Sequence, residues 1–415
     1  MGIDRRALLL SAGAVAVAGH AAAETRASVR PTPPLSSPSL FDTTPENQAV
    51  TYMRADRNGP ARIILRGRRS AALAAHARPL DGLDYAFGGG RRSVDDYMRE
   101  NRVSGLIILK RGEVALERYA MGLTPSGRWT GFSVAKPMTT TLAGAALAEG
   151  AIESLDDPAV RYVPALAGSA YAQVTIRNLM RLMSGVDWEE DVETSAGAGL
   201  AAVDAAARSG DRNALFRVMT ERPRAAEQGA VFNYNTGEAY VLGEVIACAT
   251  GKTLAGYMSE KIWAPMGAEA DATWLTCASG GPELCGYGIN ATLRDYARFA
   301  LFIAHDGVVG PRRILPQGWR DLAGQPDNPV TRNGFLEEGY PLGHGYMWWT
   351  MPTGADALPN HDAAFTAQGI HGQIMYINAR ESVVAMVTSA WREAWETPRE
   401  METYALLGEA VARLR

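Results

Sequence analysis

The chain has few of the residues on which several enzyme classes depend. It contains only 6 histidines in 415 residues and no H-E-x-x-H pair, which argues against a zinc hydrolase. No G-x-S-x-G turn is present to raise the serine of an α/β-hydrolase. With 3 cysteines, the fold does not rest on a disulfide scaffold. Net charge is -4 and no basic stripe stands out, so nucleic-acid binding, which needs clustered Lys and Arg, is not expected. Beyond the N-terminal region no apolar run approaches the roughly 20 residues that span a bilayer. Nothing in the composition calls for a metal or a cofactor.

What remains is an ordinary globular composition, 47% hydrophobic and 21% charged. A chain of 415 residues suits two packed subdomains. Arg5-Arg6, the apolar run that follows and Ala21-Ala22-Ala23 have the order of an export signal, so residues 1–23 are read as a signal peptide cleaved near Ala23. The paired arginines suit the twin-arginine route, and a Sec signal is the alternative. The mature protein is then expected in the periplasm, without a membrane span, as a monomer or a homodimer. Residues 24–45, rich in Pro, Ser and Thr, read as a flexible leader. Cys277 and Cys285 flank a turn-forming run and either bridge or stay unpaired; Cys248 reads as a buried helix residue.

From Ser93 the periodicity is clearer. SVDDYMREN has a Ser cap and early acidic residues, which predicts a helix. Runs 106–110 and 113–119 around Arg111-Gly112 predict a hairpin. An Ala- and Leu-rich helix is expected from about Ser133 to Glu149, ended by Gly150. Thr175 caps an amphipathic helix, residues 192–228 read as a small helical insertion, and helices follow near 240–246 and 293–299. Strand patterns return at 346–350, 373–377 and 382–387, and a helix over 399–413 closes the chain. Strands at both ends and helices between predict an α/β sheet domain, 46–155 plus 286–415, flanked by helices, with an inserted all-helical domain over 156–285. A cleft between two such units commonly holds an active site.

The chemistry centres on Ser133-Val134-Ala135-Lys136. Residues i and i+3 share a helix face, so the two polar side chains can meet. A serine hydroxyl needs a neighbour to take its proton, and a lysine can do so if its pKa is lowered. Pro137 is tolerated only in a first helical turn, which places Ser133 at the helix start where N–H groups and the dipole favour negative charge. Tyr234, in Phe232-Asn233-Tyr234-Asn235-Thr236-Gly237, could act as a base if nearby cations depressed its phenol. Ala367-Gln368-Gly369-Ile370-His371 enters a strand, and an N–H there paired with that of Ser133 would form an oxyanion hole. His371 lines the pocket or bonds locally; a Ser-His-Asp triad through it lacks the turn such enzymes use. Trp188, Trp348, Trp349 and Tyr287 are candidates for an apolar acyl pocket or for plain core. The acidic run 189–191 either repels anions or is a solvated loop.

With these motifs in order, the chain resembles the serine β-lactamase and penicillin-binding superfamily, on its class C side. FSVAK, LMRLMSGVDWEED, FNYNTGEAYVLGEVI, GINATLRDYARFALFI and GIHGQIMYI are most similar to 6-aminohexanoate-dimer hydrolases and β-lactamase-like carboxylesterases. The resemblance implies a β-lactamase/transpeptidase-like fold. It makes Ser133 the acyl-enzyme nucleophile, Lys136 its activator, Tyr234 the proton shuttle to the leaving group, and the Ser133 and Ile370 N–H groups the oxyanion hole. Two departures carry weight. The family's Tyr-x-Asn is Tyr234-Asn235-Thr236, so Thr236 takes the asparagine role or the role is lost. Lys-Thr-Gly is Ala367-Gln368-Gly369, which removes the cation that holds a penicillin carboxylate. The expected activity is therefore cleavage of a small ester or linear amide. A β-lactamase or D-Ala-D-Ala carboxypeptidase is the alternative, and an inactive binding protein on the same fold is another. Gly369, Thr236, His371, Tyr287 and Trp188 are the expected substrate-binding residues.

Overall fold

A computed structural model describes residues 39–415, apart from 58, 191–198, 337–339 and 353–357. The signal segment and most of the leader lie outside the described residues. No described helix is long and apolar enough to cross a membrane.

The main sheet is antiparallel and joins the two ends of the chain. The early strands are β2 (Val103–Lys110) and β3 (Glu113–Tyr119), and the late ones are β7 (Gly343–His344), β8 (Trp349–Thr350), β9 (Phe365–Gly369), β10 (Gln373–Asn378) and β11 (Val383–Ser389). Their order is β7-β8-β9-β10-β11-β2-β3. β2 and β11 are buried along their whole length, so successive residues serve two cores. Leu106 and Ile108 pack on one side with helices α1 (Val94–Glu100) and α8 (Thr397–Leu414). Ile107 and Leu109 pack on the other with Phe299 and Ile303 of α7 (Leu293–Ala304). The predicted Ser93 cap is present as a reciprocal capping box with Asp96.

A second sheet, in the order β1 (Ala61–Ile64), β5 (Ala272–Leu275), β6 (Ile289–Thr292) and β4 (Arg128–Thr130), lies beside it. The segment 156–285, read as all helical, contains the helices α3 (Ile176–Arg181), α4 (Leu200–Arg208), α5 (Ala214–Thr220) and α6 (Thr236–Thr250). Its end departs from the expectation, because Ala272–Leu275 is the fully buried strand β5, paired with β1 and β6. The buried helix α2 (Ala135–Ala148) packs against α6 and carries the serine turn at its start.

Other expectations are corrected locally. The sequence pattern extends the leader through residue 45, but residues 39–41 are packed. Leu40 is buried, Ser39 donates to Asp204 at 2.9 Å, and the Phe41 ring meets Tyr287 at 5.0 Å. Two apolar side chains outweigh the surrounding Pro and Ser. Cys277 and Cys285 are buried and unbridged, and Cys248 is exposed on α6. Of the strand pattern at 346–350, only Trp349–Thr350 pairs, because Met347 has φ 62 and turns the backbone just before it.

The turn after β9 is held by one side chain. Gln373 is fully buried and donates from Nε2 to the carbonyls of Ile370, His371 and Ser389 at 3.0, 3.1 and 2.9 Å. Its Oε1 accepts from Trp129 Nε1 at 3.0 Å and from the Ser389 N–H at 3.1 Å. Gln373→Leu therefore strands several buried polar groups. It should cost about 2–4 kcal/mol in chemical denaturation, well beyond an ordinary surface change.

Candidate active site

The serine turn has three consecutive features. Phe132 takes φ 45, a left-handed conformation for a bulky residue, and is fully buried. Phe132–Val134 form a single 3-10 turn, and the α-helix starts at Ala135. Pro137 is the third helical residue, where its missing N–H costs nothing. The expected helix start at Ser133 is thus a tighter turn leading into the helix.

Lys136 Nζ donates to Ser133 Oγ at 2.8 Å and to the Gly286 carbonyl at 3.2 Å. It is 1% exposed. Burial pushes its ammonium down to about 8, while the negative charge of Glu190 pulls the other way. The Tyr234 ring lies under it, with Nζ 4.8 Å from the centroid.

Tyr234 is set by asparagines on both sides. Asn233 donates from Nδ2 to the Trp188 carbonyl at 2.9 Å, and Asn235 caps α6 by accepting the Glu238 N–H at 3.1 Å. Trp349 stacks on the Tyr234 ring at 6.1 Å and 15°. Burial pushes the Tyr234 phenol up, and a hydrogen bond to Ser133 only partly offsets this. Burial thus works against a cation-depressed phenol. Desolvation is the largest influence and keeps the proton on this tyrosine near neutral pH.

The strand end completes the arrangement. A Cβ placed on Gly369 would lie 2.4 Å from the Gly131 carbonyl oxygen and 3.1 Å from the Ser133 nitrogen. Only glycine lets β9 come this close, and it brings Ile370 beside the serine turn. Both Ser133 and Ile370 line a cleft of about 410 Å³ with Phe41, Phe132, Phe232, Tyr234, Tyr287, Tyr340, Trp349 and Trp395. Glu190 is the charged residue among these lining groups.

Of the expected binding residues, Tyr287 and Thr236 line the cleft. Thr236 donates to Glu190 from both its N–H, at 3.0 Å, and its hydroxyl. Trp188 does not line it. Its Nε1 donates to Glu190 at 2.6 Å, so it braces the carboxylate from behind. Trp348 packs on Phe365 in the core. His371 also stays out of the cleft, its Nδ1 held 3.0 Å from the Trp391 carbonyl and its ring beside Tyr52 and Phe132. Burial keeps that imidazole neutral, and Lys136 is the group that holds Ser133. The run 189–191 divides: Glu189 is exposed, Glu190 faces the cleft, and Asp191 lies outside the described residues. Among the described residues no group of three or more His, Cys, Asp or Glu could hold a metal. Phe41 and Glu190 are the site residues that the sequence hid, because one sat in a disordered-looking leader and the other in a charge run.

The family model for beta-lactamase matches residues 91–409. A 6-aminohexanoate-dimer hydrolase of Paenarthrobacter ureafaciens is 28% identical over 326 residues, 77% of this chain and 80% of that protein. A solved structure from Bacillus anthracis, assigned by inference as a 6-aminohexanoate-dimer hydrolase, superposes with a TM-score of 0.79 at 21% identity, over 92% of this chain and 97% of that one. A family VIII carboxylesterase superposes with a TM-score of 0.59 at 17% identity, over 78% and 96% of the two chains. The fold, the site and the matched stretch agree: the chain belongs to the beta-lactamase family of serine hydrolases.

Proposed function

We propose that this enzyme cleaves an uncharged ester or linear amide through an acyl-enzyme on Ser133. The observation that carries the reading is the 2.8 Å hydrogen bond between Ser133 Oγ and a buried Lys136 whose pKa falls to about 8. A lysine in that range deprotonates near neutral pH and can take the serine proton. Ser133 then attacks the carbonyl, and the oxyanion lies between the N–H groups of Ser133 and Ile370. Tyr234, which keeps its own proton, relays one to the departing alcohol or amine as the chain Ser133–Lys136–Tyr234 shifts. Water finally hydrolyses the ester.

The substrate class follows from the cleft. Its lining is mostly aromatic, and Ala367 stands where a β-lactamase carries its carboxylate-binding lysine. Among the described lining residues none is cationic. An anionic β-lactam would meet Glu190 with no compensating charge. The similarity to a 6-aminohexanoate-dimer hydrolase supports a linear amide within this class. Arg5-Arg6, the apolar run and Ala21-Ala22-Ala23 support action outside the cytoplasm, after removal of the signal.

Three outcomes test this. A fluorophosphonate should label the wild type but not Ser133→Ala. That variant should lose several orders of magnitude in kcat on a p-nitrophenyl ester, since nucleophile and partners act as a unit; near-normal turnover would sink the assignment. Gly369→Ala should lower kcat by about 10²–10³ by pushing β9 off the Ser133 turn, with a smaller effect on KM.

A further outcome is a pH dependence. The folded protein binds the Lys136 proton more weakly than the unfolded chain, whose lysines keep the ordinary value of 10.5. kcat/KM should therefore rise through a limb near 8. Stability follows the same linkage: burying the charged form costs about 3 kcal/mol below that limb, and the cost fades as pH rises to 10.5. Denaturation of wild type and Lys136→Met across this range should show the difference moving in favour of wild type as pH rises.

A further inference from the structure

One cleft residue has no part in the acyl-transfer steps. Gln368 lies in β9 next to Gly369, is 4% exposed and lines the cleft. Its Nε2 donates to Tyr404 Oη at 2.7 Å and to Glu400 Oε1 at 2.8 Å, with Thr366 Oγ1 at 3.2 Å. Glu400 belongs to α8 and is 1% exposed. It also accepts from Tyr404 Oη at 2.9 Å and from Tyr340 Oη at 3.1 Å.

Donors from Gln368, Tyr404 and Tyr340 thus converge on one buried carboxylate. An ionised carboxylate accepts and cannot donate, so the NH₂ end of Gln368 must face it. The carbonyl end then faces the cleft. Among the described residues no donor bonds Gln368 Oε1, and Oε1 is not one of the unpartnered polar atoms sealed from solvent. Besides the Glu190 carboxylate, the site therefore offers an oriented neutral acceptor in a mostly aromatic wall.

We propose that Gln368 Oε1 is a specificity-determining acceptor for an N–H of the substrate, and that Glu400 and Tyr404 are positioning residues that aim it. The favoured substrates would carry a secondary amide close to the scissile bond. A substrate without that N–H leaves a desolvated acceptor unpaired when it fills the cleft, and such a mismatch is penalised in kcat/KM. This inference rests on the hydrolase reading above and narrows it.

The test uses two matched ester pairs. One pair is p-nitrophenyl N-acetyl-β-alaninate and its N-methyl counterpart, with the amide in the acyl group. The other is the acetate ester of N-acetylethanolamine and its N-methyl counterpart, with the amide in the leaving group. Assays run well above the Glu400 pKa, which burial raises to about 7, so that the carboxylate is ionised. In the wild type at least one N–H ester should exceed its N-methyl partner by about tenfold in kcat/KM. That ratio should fall toward one in Gln368→Met. It should fall also in Glu400→Gln, where a neutral amide can donate as well as accept and no longer orients Gln368. A purely structural role for Glu400 would slow both members alike and leave the ratio intact. Equal rates within both wild-type pairs, or a ratio preserved in Gln368→Met, would overturn the proposal. Fluorophosphonate labelling of the same samples separates the cases, since a protein that neither labels nor turns over any ester fails as a hydrolase instead.

Discussion

The site depends on a close backbone contact made possible by a missing side chain. Gly369 ends β9 against the Gly131 carbonyl and the Ser133 nitrogen, in a space that a single methyl group would overfill. The nucleophile belongs to the first third of the chain and the strand to its last part, so this approach unites two distant segments. Both partners are pinned. The turn beyond Gly369 is gathered by Gln373, which also accepts from Trp129 of β4, the strand leading into the serine turn. The left-handed Phe132 is trapped between the Tyr52 and Phe41 rings. Such a backbone conformation persists only where the surroundings over-determine it.

Electrostatics set the second constraint. Lys136 is stripped of water, which is unfavourable for an ammonium and is what would make it a usable base in the proposed mechanism. The same burial raises the Tyr234 phenol, so adjacent groups of the proposed relay shift in opposite directions. Both shifts favour the neutral forms of lysine and tyrosine, and a relay of neutral groups can move protons without stranding a charge in an apolar cleft. Glu190 is the counterweight: tied to Thr236 and braced by Trp188, it limits the fall in the lysine pKa.

Much of this was readable from local chemistry. Ser133, Lys136 and Pro137 lie within one turn, where spacing alone dictates proximity. The hairpin around Arg111-Gly112 and the Ser93 cap are likewise local, and both appear as expected. Residues misread or left open were those whose role is set by distant neighbours. Phe41 looked like part of a leader because its partners, Phe132 and Tyr287, are about 90 and 250 positions away. His371 sits in a motif with Ile370, yet its backbone at φ 60 turns the ring toward Trp391. Trp188 resembled a pocket wall and instead supports the carboxylate that forms it.

The amino-acid sequence by itself determined which atoms could react, because the proposed nucleophile, its proposed base and a helix start fit within five residues, and it determined the helix and strand patterns that build the sheet domain. Tertiary structure alone decided what those atoms can do. Desolvation lowers Lys136, keeps Tyr234 protonated and neutralises His371, and desolvation is a property of everything packed around a group. The selectivity proposed for the cleft belongs to the same level: Glu190 from one loop and Gln368 from a strand line one cleft only in the folded chain, where Gln368 also meets Glu400 of the last helix.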